Sequence, residues 1–283
     1  MVTFKPFQTG VLYGDESSYG VGATTNTAIG KVTSFSPNAS NNFLKTRGIG
    51  GGRDVVSTIY GVFDLSFSLS WEVSDFTFLK YAIGLLGGAG ASGDKYTLTE
   101  ADTIGYTASD ILTFGLEVSS EAGTTDDKDV YSGCTINNFT LNMTQGAVLT
   151  CNANCLAKTV TSSASGATGY TAVTINPWVF QQGTLKWGAT PSTVAKIESC
   201  SISFAQNLYV YRSLGDRFIQ QPEAGLRDYT FSLTAVMTDT IATTLRDNFY
   251  GQANSPTTGI DPASPTADYE LWLDFAEGTG TGD

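Results

Sequence analysis

Residues 61–71, Gly-Val-Phe-Asp-Leu-Ser-Phe-Ser-Leu-Ser-Trp, decide the fold. Phe63, Leu65, Phe67, Leu69 and Trp71 alternate strictly with Asp64, Ser66, Ser68 and Ser70. Successive side chains of a strand point to opposite faces, so the stretch predicts a strand with one buried apolar face. The other face is wet or turned to a partner. Asp75 follows, and its carboxylate can accept from the orphan amides at a helix start. It predicts a helix carrying Phe76, Leu79, Ile83 and Leu86, stopped by Gly87 and Gly88.

The pattern recurs downstream. Residues 31–75 and 196–239 share twelve identities in 45 aligned positions, at an offset of 165 that falls to 164 after a one-residue gap. Lys31, Ser34, Ser36, Asn42, Arg47 and Gly50 match Lys196, Ser199, Ser201, Asn207, Arg212 and Gly215. Gly61, Asp64, Phe67, Ser68, Leu69 and Asp75 match Gly225, Asp228, Phe231, Ser232, Leu233 and Asp239. The second strand, with Tyr229, Phe231, Leu233, Ala235 and Met237, keeps the phase; a one-residue slip would turn every apolar side chain outward. Asp239 predicts a second helix with Ile241, Leu245 and Phe249, ended by Gly251. A module of strand, long loop, strand and helix is thus expected twice, which brings one chain halfway to a symmetric assembly.

The rest of the chain is organised around these modules. Residues 1–28 read as an extended Gly/Thr/Ser-rich arm, 29–161 as a first β module, 162–193 as a linker with a strand, and 194–283 as a second module. Further strands are expected near 111–119, 130–143, 147–161 and 269–275. A bulge at Asn137–Asn138 would move the apolar phase from Cys134 and Ile136 to Phe139, Leu141 and Met143. Residues 162–174 and 253–267 carry loop composition. The second module has room for one strand after its helix where the first has three, so either the architecture is asymmetric or a C-terminal piece is missing. The expected class is mainly β: sandwich or barrel modules, each with one short flanking helix.

Composition narrows the function. The 283 residues include 31 Gly, 13 Tyr and 16 Phe, a balance that favours strands and turns. A net charge of −12 argues against wrapping nucleic acid, since affinity for phosphate comes from Lys and Arg, and an acidic surface repels the polyanion. The chain has no His, which removes Ser-His-Asp and Cys-His catalysis and the usual zinc sites. No catalytic residue, cofactor or metal is expected. Cys134, Cys151, Cys155 and Cys200 match no structural zinc spacing. If Met143 to Gly146 joins two strands, Cys134 falls opposite Cys155, which leaves open a cross-strand disulfide or small buried thiols. Residues 1–20 lack the basic start and apolar block of a cleaved leader, and no run is long enough to cross a bilayer.

Other motifs yield to plain readings. Gly88-x-Gly90-x-x-Gly93 follows an expected helix rather than a strand, so the phosphate-binding context is absent. Gly48–Gly52 with Arg53 lacks the P-loop Lys-Ser/Thr. Asp126, Asp127 and Asp129 lack the closing Glu of a calcium loop and read as a solvated turn. Sequons begin at Asn38, Asn138 and Asn142, as expected by coincidence in so Ser/Thr/Asn-rich a chain. Arginine is more telling. Five of six sit in or beside the equivalent loops: Arg47 and Arg53 in the first, Arg212, Arg217 and Arg227 in the second, with Lys45 beside them. Guanidinium forks on two loops of an acidic protein suit carboxylates of neighbouring subunits. Lys45, Arg47, Arg53, Arg212 and Arg217 are therefore the candidate inter-subunit contacts.

Glu16-Ser17-Ser18-Tyr19-Gly20, Ile29-Gly30-Lys31-Val32, the Gly-rich 48–54 followed by Gly61–Trp71 and Asp75, and Tyr131-Ser132-Gly133-Cys134-Thr135-Ile136 leading into Phe139-Thr140-Leu141 give the chain a family likeness. In order and layout it resembles the tail tube (major tail) proteins of tailed bacterial and archaeal viruses. The resemblance implies a β-sandwich with a flanking helix, strands from neighbours joined into a continuous inner barrel, a hairpin loop reaching the next ring, and rings commonly of sixfold symmetry. Closing a barrel between subunits would also remove sheet edges that otherwise template aggregation. On this reading Asp64, Ser66, Ser68, Thr230 and Ser232 face a lumen or a neighbour. If both modules supply barrel strands, three copies complete a pseudo-sixfold ring; otherwise six are needed, and the repeat favours three.

The function expected is that of a structural virion protein, made in the host cytoplasm, stacking in rings as a conduit for genome ejection. Its partners would be itself and other tail proteins, with DNA passing transiently and no membrane. The tube of a phage-like injection system is an alternative. Another is a secreted carbohydrate-binding or adhesin sandwich with Trp178 and Trp187 as exposed sugar platforms.

Overall fold

The computed structural model describes residues 9–46, 57–83, 85–87, 97–99, 111–122, 125–163, 176–188, 192–193, 197–236 and 270–275. Strands dominate them. The first are β1 (Thr9–Asp15), β2 (Thr27–Ala28), β3 (Lys31–Ser40), β4 (Leu44–Thr46), β5 (Ser57–Ile59) and β6 (Asp64–Glu72). A short helix, α1 (Lys80–Ile83), precedes β7 (Leu85–Gly87), β8 (Thr97–Thr99), β9 (Phe114–Ala122), β10 (Thr125–Thr144), β11 (Thr150–Ala157) and β12 (Thr159–Ser163). Then come β13 (Gly183–Gly188), β14 (Ser192–Thr193), β15 (Ile197–Ala205), β16 (Asp228–Ala235) and β17 (Glu270–Phe275).

The large sheet runs β2-β1-β9-β10-β11-β6-β3, with β12 and β15 also on β10 and β16 on β15. By contact the chain forms two compact units. One holds residues 1–140, 150–177 and 203–230, the other 141–149, 178–202 and 231–283. These units are defined by packing, whereas the modules at 29–161 and 194–283 are defined by repeated sequence pattern.

β6 behaves as its alternation predicts. Leu65, Phe67, Leu69 and Trp71 are at most 3% exposed, while Asp64 and Ser68 on the other face are open to solvent. It lies between β11 and β3, with Trp71 opposite Cys151 and Val32, and Leu69 opposite Ala153 and Phe35. Trp71 meets Phe78 edge-on at 5.5 Å, and Phe78 meets Phe114 at 5.1 Å, so the strand's apolar face opens onto an aromatic core. Burying each such side chain stabilises the fold by about 1.5–3 kcal/mol.

The N-terminal segment is not all arm. Val11, Leu12 and Tyr13 of β1 are buried, and the strand pairs antiparallel with β9, Val11 opposite Val118. Three consecutive buried residues mean that both faces are covered, so there is no alternation to read amid the Gly and Thr.

The helix expected from Asp75 to Leu86 is shorter. A 3-10 turn, Thr77–Leu79, runs into α1, which stops at Ile83, and Leu86 belongs to β7. Asp75 still caps the turn, its Oδ1 accepting the Thr77 amide at 2.8 Å. Aromatic and β-branched residues are weak helix formers, so core packing of Phe78, Leu79, Tyr81 and Ala82 holds the segment rather than propensity. The second expected helix, at 239–251, lies outside the described residues.

In β10 burial changes phase at Asn137–Asn138, since Ile136 and Phe139 are both buried. The register break against β9 comes earlier, between Tyr131 and Cys134, where Gly133 takes φ +68°. Asp127 and Asp129 lie within β10 rather than on a turn, and Ser162 donates to Asp129 Oδ1. The expected strand at 147–161 is two strands, β11 and β12, parted at Lys158, whose amide donates to Ser132 O at 2.9 Å.

In the second unit β13 pairs antiparallel with β14 and β17. Trp178 is 9% exposed and lies flat on Phe275 at 5.0 Å, so it is a core side chain and no sugar platform. The side chain of Trp187 lies outside the described residues. No helix among the described residues is long and apolar enough to cross a membrane.

Candidate assembly surfaces

The non-core face of β6 and its neighbours is built of hydroxyls and amides. Register sets Ser70 beside Ser34 and Asn152, Ser68 beside Ser36 and Asn154, and Ser66 beside Asn38. Asn154 Nδ2 donates to Asn138 Oδ1 at 2.7 Å, which carries the face onto β10, where Thr140 and Ser203 hydroxyls meet at 3.1 Å. A shallow concavity of about 490 Å³ is lined by Ser36, Asn38, Ser66, Ser68, Asn138 and Asn154 among others. Charges stand at the ends of β6, Asp64 and Glu72, with only serines between them on this face. Of the candidate lumen- or neighbour-facing residues, Asp64, Ser68, Thr230 and Ser232 are exposed and Ser66 is half-buried. Between these ends the β6 stretch of the face carries no charge, and Lys31 stands opposite Glu72 at one end.

Two strands of the large sheet that carry the repeat end it. Among the described residues β3 pairs with β6 alone, and β16 with β15 alone. By aligned sequence β3 corresponds to β15 and β6 to β16, so among the described residues the open outer edge falls on the first of the two strands at 31–72 and on the second at 197–235. The ladder of β3 passes through Pro37 without a register break. Proline has no N–H to give, so its nitrogen faces away from β6, as proline in sheets does at edges.

Above these hairpins the loop roots share one device. Asn42 takes φ +39° and Asn207 φ +48°, the left-handed region that Asn tolerates best after Gly. Asn42 Nδ2 donates to Val62 O at 3.3 Å and Asp64 Oδ2 at 2.5 Å; Asn207 Nδ2 donates to Leu226 O and Asp228 Oδ2, both at 2.8 Å. A Cβ on Gly61 or Gly225 would sit 2.0 Å from the carbonyl oxygen of the facing Asn. The three identities that sequence alignment pairs here, Asn42 with Asn207, Gly61 with Gly225 and Asp64 with Asp228, are the ones that make the clasp.

Beyond the clasps the loops part ways. The first rises as the hairpin β4–β5, Leu44 opposite Ile59, with Phe43, Leu44, Ile59 and Tyr60 each more than half exposed. Lys45 is exposed on it; Arg47 and Arg53 lie outside the described residues. The second loop folds back onto the first module. Arg212 donates to Asp64 Oδ1 and reaches Phe63 O at 3.5 Å. Arg217 donates to Asn41, its carbonyl accepts the Phe63 amide at 2.9 Å, and its guanidinium lies 5.3 Å from the Tyr60 ring. Arg212 and Arg217 thus have partners within a single chain.

Glu16 ties together two of the segments that carried the family resemblance. Its Oε1 accepts the Gly133 amide at 2.7 Å and its Oε2 the Gly20 amide at 3.1 Å. Both glycines have positive φ, and Lys158 lies 5.2 Å from the neighbouring Tyr19 ring. Tyr19 OH donates to Ile219 O at 3.2 Å, which pins the second loop. Burial pushes the Glu16 carboxyl above its ordinary range, with the two amides opposing. The folded chain then binds this proton more tightly than the unfolded one. The stability linked to it is full below the ordinary carboxylate pKa and lost as pH rises through the raised value. Chemical denaturation between about pH 4 and pH 7 should show that decline in wild type and not in Glu16→Gln; an equal decline in both would remove Glu16 as its source. Glu16→Ala, which orphans two amides, should cost about 1–3 kcal/mol.

All four cysteines are free and buried, which resolves the open alternative in favour of thiols. Burial raises every one of them, Cys200 to about 11, so none is poised as a nucleophile.

Sequence reasoning passed over Asn42, Asn207, Gly61 and Gly225 as functional positions although the repeat had already aligned them; it quoted Glu16 for the family likeness without giving it a role, and it missed Asn41 and Gln206. Gln206 is buried, and its Nε2 donates to Ala82 O at 2.5 Å. The signal for the clasp was there: an Asn, a Gly and an Asp kept at matched spacing between two otherwise dissimilar loops.

No curated protein matches the chain in sequence. Among solved structures, a chain in the cryo-EM structure of an extracellular contractile injection system (PVC sheath–tube complex, extended state) is similar at TM-score 0.38 and 13% identity. The match covers 57% of this chain and 92% of that one. The phage tail tube protein family matches residues 6–271, nearly the whole length. The chain belongs to the phage tail tube protein family, structural components of the virion tail.

Proposed function

We propose that copies of this chain close into a ring by pairing the open edge of β16 on one copy with the open edge of β3 on the next, and that stacked rings form the conduit for the genome. The observation that carries this is the pair of edges. Each ends the large sheet, each belongs to a different copy of the same hairpin, and neither is shielded by a covering strand among the described residues. Unpaired edges cost little in water but invite pairing, and head-to-tail closure satisfies both at once. The matched clasps support the reading that one module is used twice, so that three copies give a pseudo-sixfold ring. The neutral Ser/Thr/Asn face would line the bore, passing DNA without holding it, and the β4–β5 hairpin with Lys45, Arg47 and Arg53 would reach the adjacent ring. Electron microscopy and native mass spectrometry of the purified chain test this together: rings or tubes of regular axial repeat, with three subunits per ring, are expected. A six-membered ring would remove the pseudo-symmetric arrangement, and a chain that stays monomeric at high concentration would remove the proposal.

A further inference from the structure

The strands between the two open edges fix how those edges run. The path β3-β6-β11-β10-β15-β16 lies in the large sheet, and each strand has residues in the compact unit of 1–140, 150–177 and 203–230. Every step along it reverses direction. β3 on β6 and β6 on β11 are antiparallel. β10 turns into β11 through residues 145–149, a link too short for a parallel crossover. Against β15, the Gln206 amide donates to Asn137 O at 2.8 Å and Thr140 meets Ser203, so numbers rise on one strand as they fall on the other. β15 returns as β16 past the antiparallel bridge of Tyr209 with Glu223. Five reversals leave β16 running against β3. Rotation from one copy to the next in a ring preserves each strand's sense about the axis. β16 of one copy therefore meets β3 of the next antiparallel.

The loop roots fix which residues look outward. Pro37 turns its nitrogen away from β6, so Phe35, Pro37 and Ala39 present their backbone to the open edge, while Ser36, Asn38 and Ser40 bond β6. Ser40 lies opposite Asp64 and Ala39 opposite Leu65, so Leu65 turns its backbone to β11, where it faces Ala157. The second clasp repeats the first atom for atom, and the Phe204 and Tyr229 rings meet at 4.9 Å where Ala39 faces Leu65. The two roots thus share a register, and Tyr229 turns its backbone to the open side of β16. Leu65 and Tyr229 are aligned residues with unequal cover: 2% exposed beside β11, 57% beside the edge. On β3, Pro37 and Ala39 are exposed as well.

We infer that the joint between copies is an antiparallel ladder carrying one apolar seam, in which Tyr229 and Phe231 of one copy lie opposite residues of the set Phe35, Pro37 and Ala39 on the next. Residues directly opposite in an antiparallel pair share a face, and both outward sets belong to the apolar face of their strand. The next copy's β3 then covers Tyr229 as β11 covers Leu65, while Tyr229 keeps Phe204 on its other side. On the opposite face Thr230 and Ser232 run on into Ser36 and Asn38. Pro37 gives the ladder no N–H, so burial of the seam outweighs backbone bonding in holding this joint.

This rests on the ring-forming reading, and the test separates the two. Full-length chains carry one cysteine at Phe35, Pro37 or Ala39 and one at Tyr229, Phe231 or Leu233. They are assembled, oxidised and run without reducing agent, with thermal melts as the control for folding. The native thiols are all buried, so the introduced ones report. Opposite residues bring their Cα atoms within disulfide range, and covalent multimers should form. The best partner on β16 should climb in number by two as the β3 position drops by two. Thr230→Cys, on the other face, should join none of the three. By sedimentation, Tyr229→Ser should raise the concentration needed for assembly about tenfold, and Tyr229→Phe should leave it near wild type. Partners that climb together, cross-linking through Thr230→Cys, or wild-type assembly of Tyr229→Ser would overturn the seam while the ring stands. Rings in which no pair cross-links would remove both the seam and closure through these edges. If wild type forms no ring, both fall.

Discussion

Ala39→Pro should yield a chain that folds as wild type does and fails to assemble. N–H groups of an antiparallel strand point alternately to one side and the other. Pro37 already shows which side is outward in β3, because the ladder with β6 runs past it unbroken. Ala39, two residues on and opposite Leu65, therefore also points its N–H away from β6. Removing that donor leaves the pairing with β6 intact and deprives an incoming strand of one of its few partners. Each contact between copies then buries an unpaired carbonyl at about 1–3 kcal/mol, roughly 5- to 150-fold in the contact's equilibrium constant. Every subunit repeats the loss, so ring closure magnifies it. Asn38→Pro is the matching control. Its N–H points toward β6, so it should damage the fold itself. Sedimentation and thermal melting of the two variants decide the matter. Ala39→Pro chains that form tubes at wild-type concentration would show that β3 is not a joining edge.

Gly61→Ala should lower stability by far more than the addition of one methyl group to an open loop would. The added carbon would stand 2.0 Å from Asn42 O, a backbone atom that cannot rotate away. Nor can Asn42 retreat easily. It is held in left-handed backbone by its own amide bonds to Val62 O and Asp64. Overpacking typically costs 1–3 kcal/mol, and a clash with pinned backbone belongs at about 3 kcal/mol. For a protein of this size that is a fall in Tm of roughly 6–12 °C. Gly225→Ala meets the same distance from Asn207 O and should fall by a similar amount. Equal losses would mark the two roots as one device used twice. A Tm unchanged in either variant would show that its root is looser than the geometry implies.

Much of this was legible in the residues because it was periodic or repeated. The strand at 64–72 announced itself by strict alternation, and its burial follows that pattern residue by residue. The tail tube likeness rested on the order of short segments, and Glu16 shows why two of them travel together: one carboxylate bonds the backbone of both. What stayed hidden lacked a period. β1 is buried on both faces, so Val11, Leu12 and Tyr13 gave no alternation against a background of Gly and Thr. The helix after Asp75 read long because its apolar residues recur at helical spacing, yet tertiary packing places Leu79 in a 3-10 turn and Leu86 in a strand. The fate of Arg212 was beyond reach, because no local pattern says that one loop folds back while its equivalent stands up as a hairpin.

The serine and asparagine face on β3, β6 and β11 has a mechanical consequence. Were that face turned toward the bore, a moving polyphosphate would meet only serines and asparagines between the charged ends of β6, with no cation there to trap it and no row of carboxylates to impose a barrier. Its hydroxyls and amides keep a film of exchangeable water between wall and cargo. Drag on the genome would then come from the viscosity of that film, and ejection speed would follow driving pressure closely while responding little to the salt of the medium.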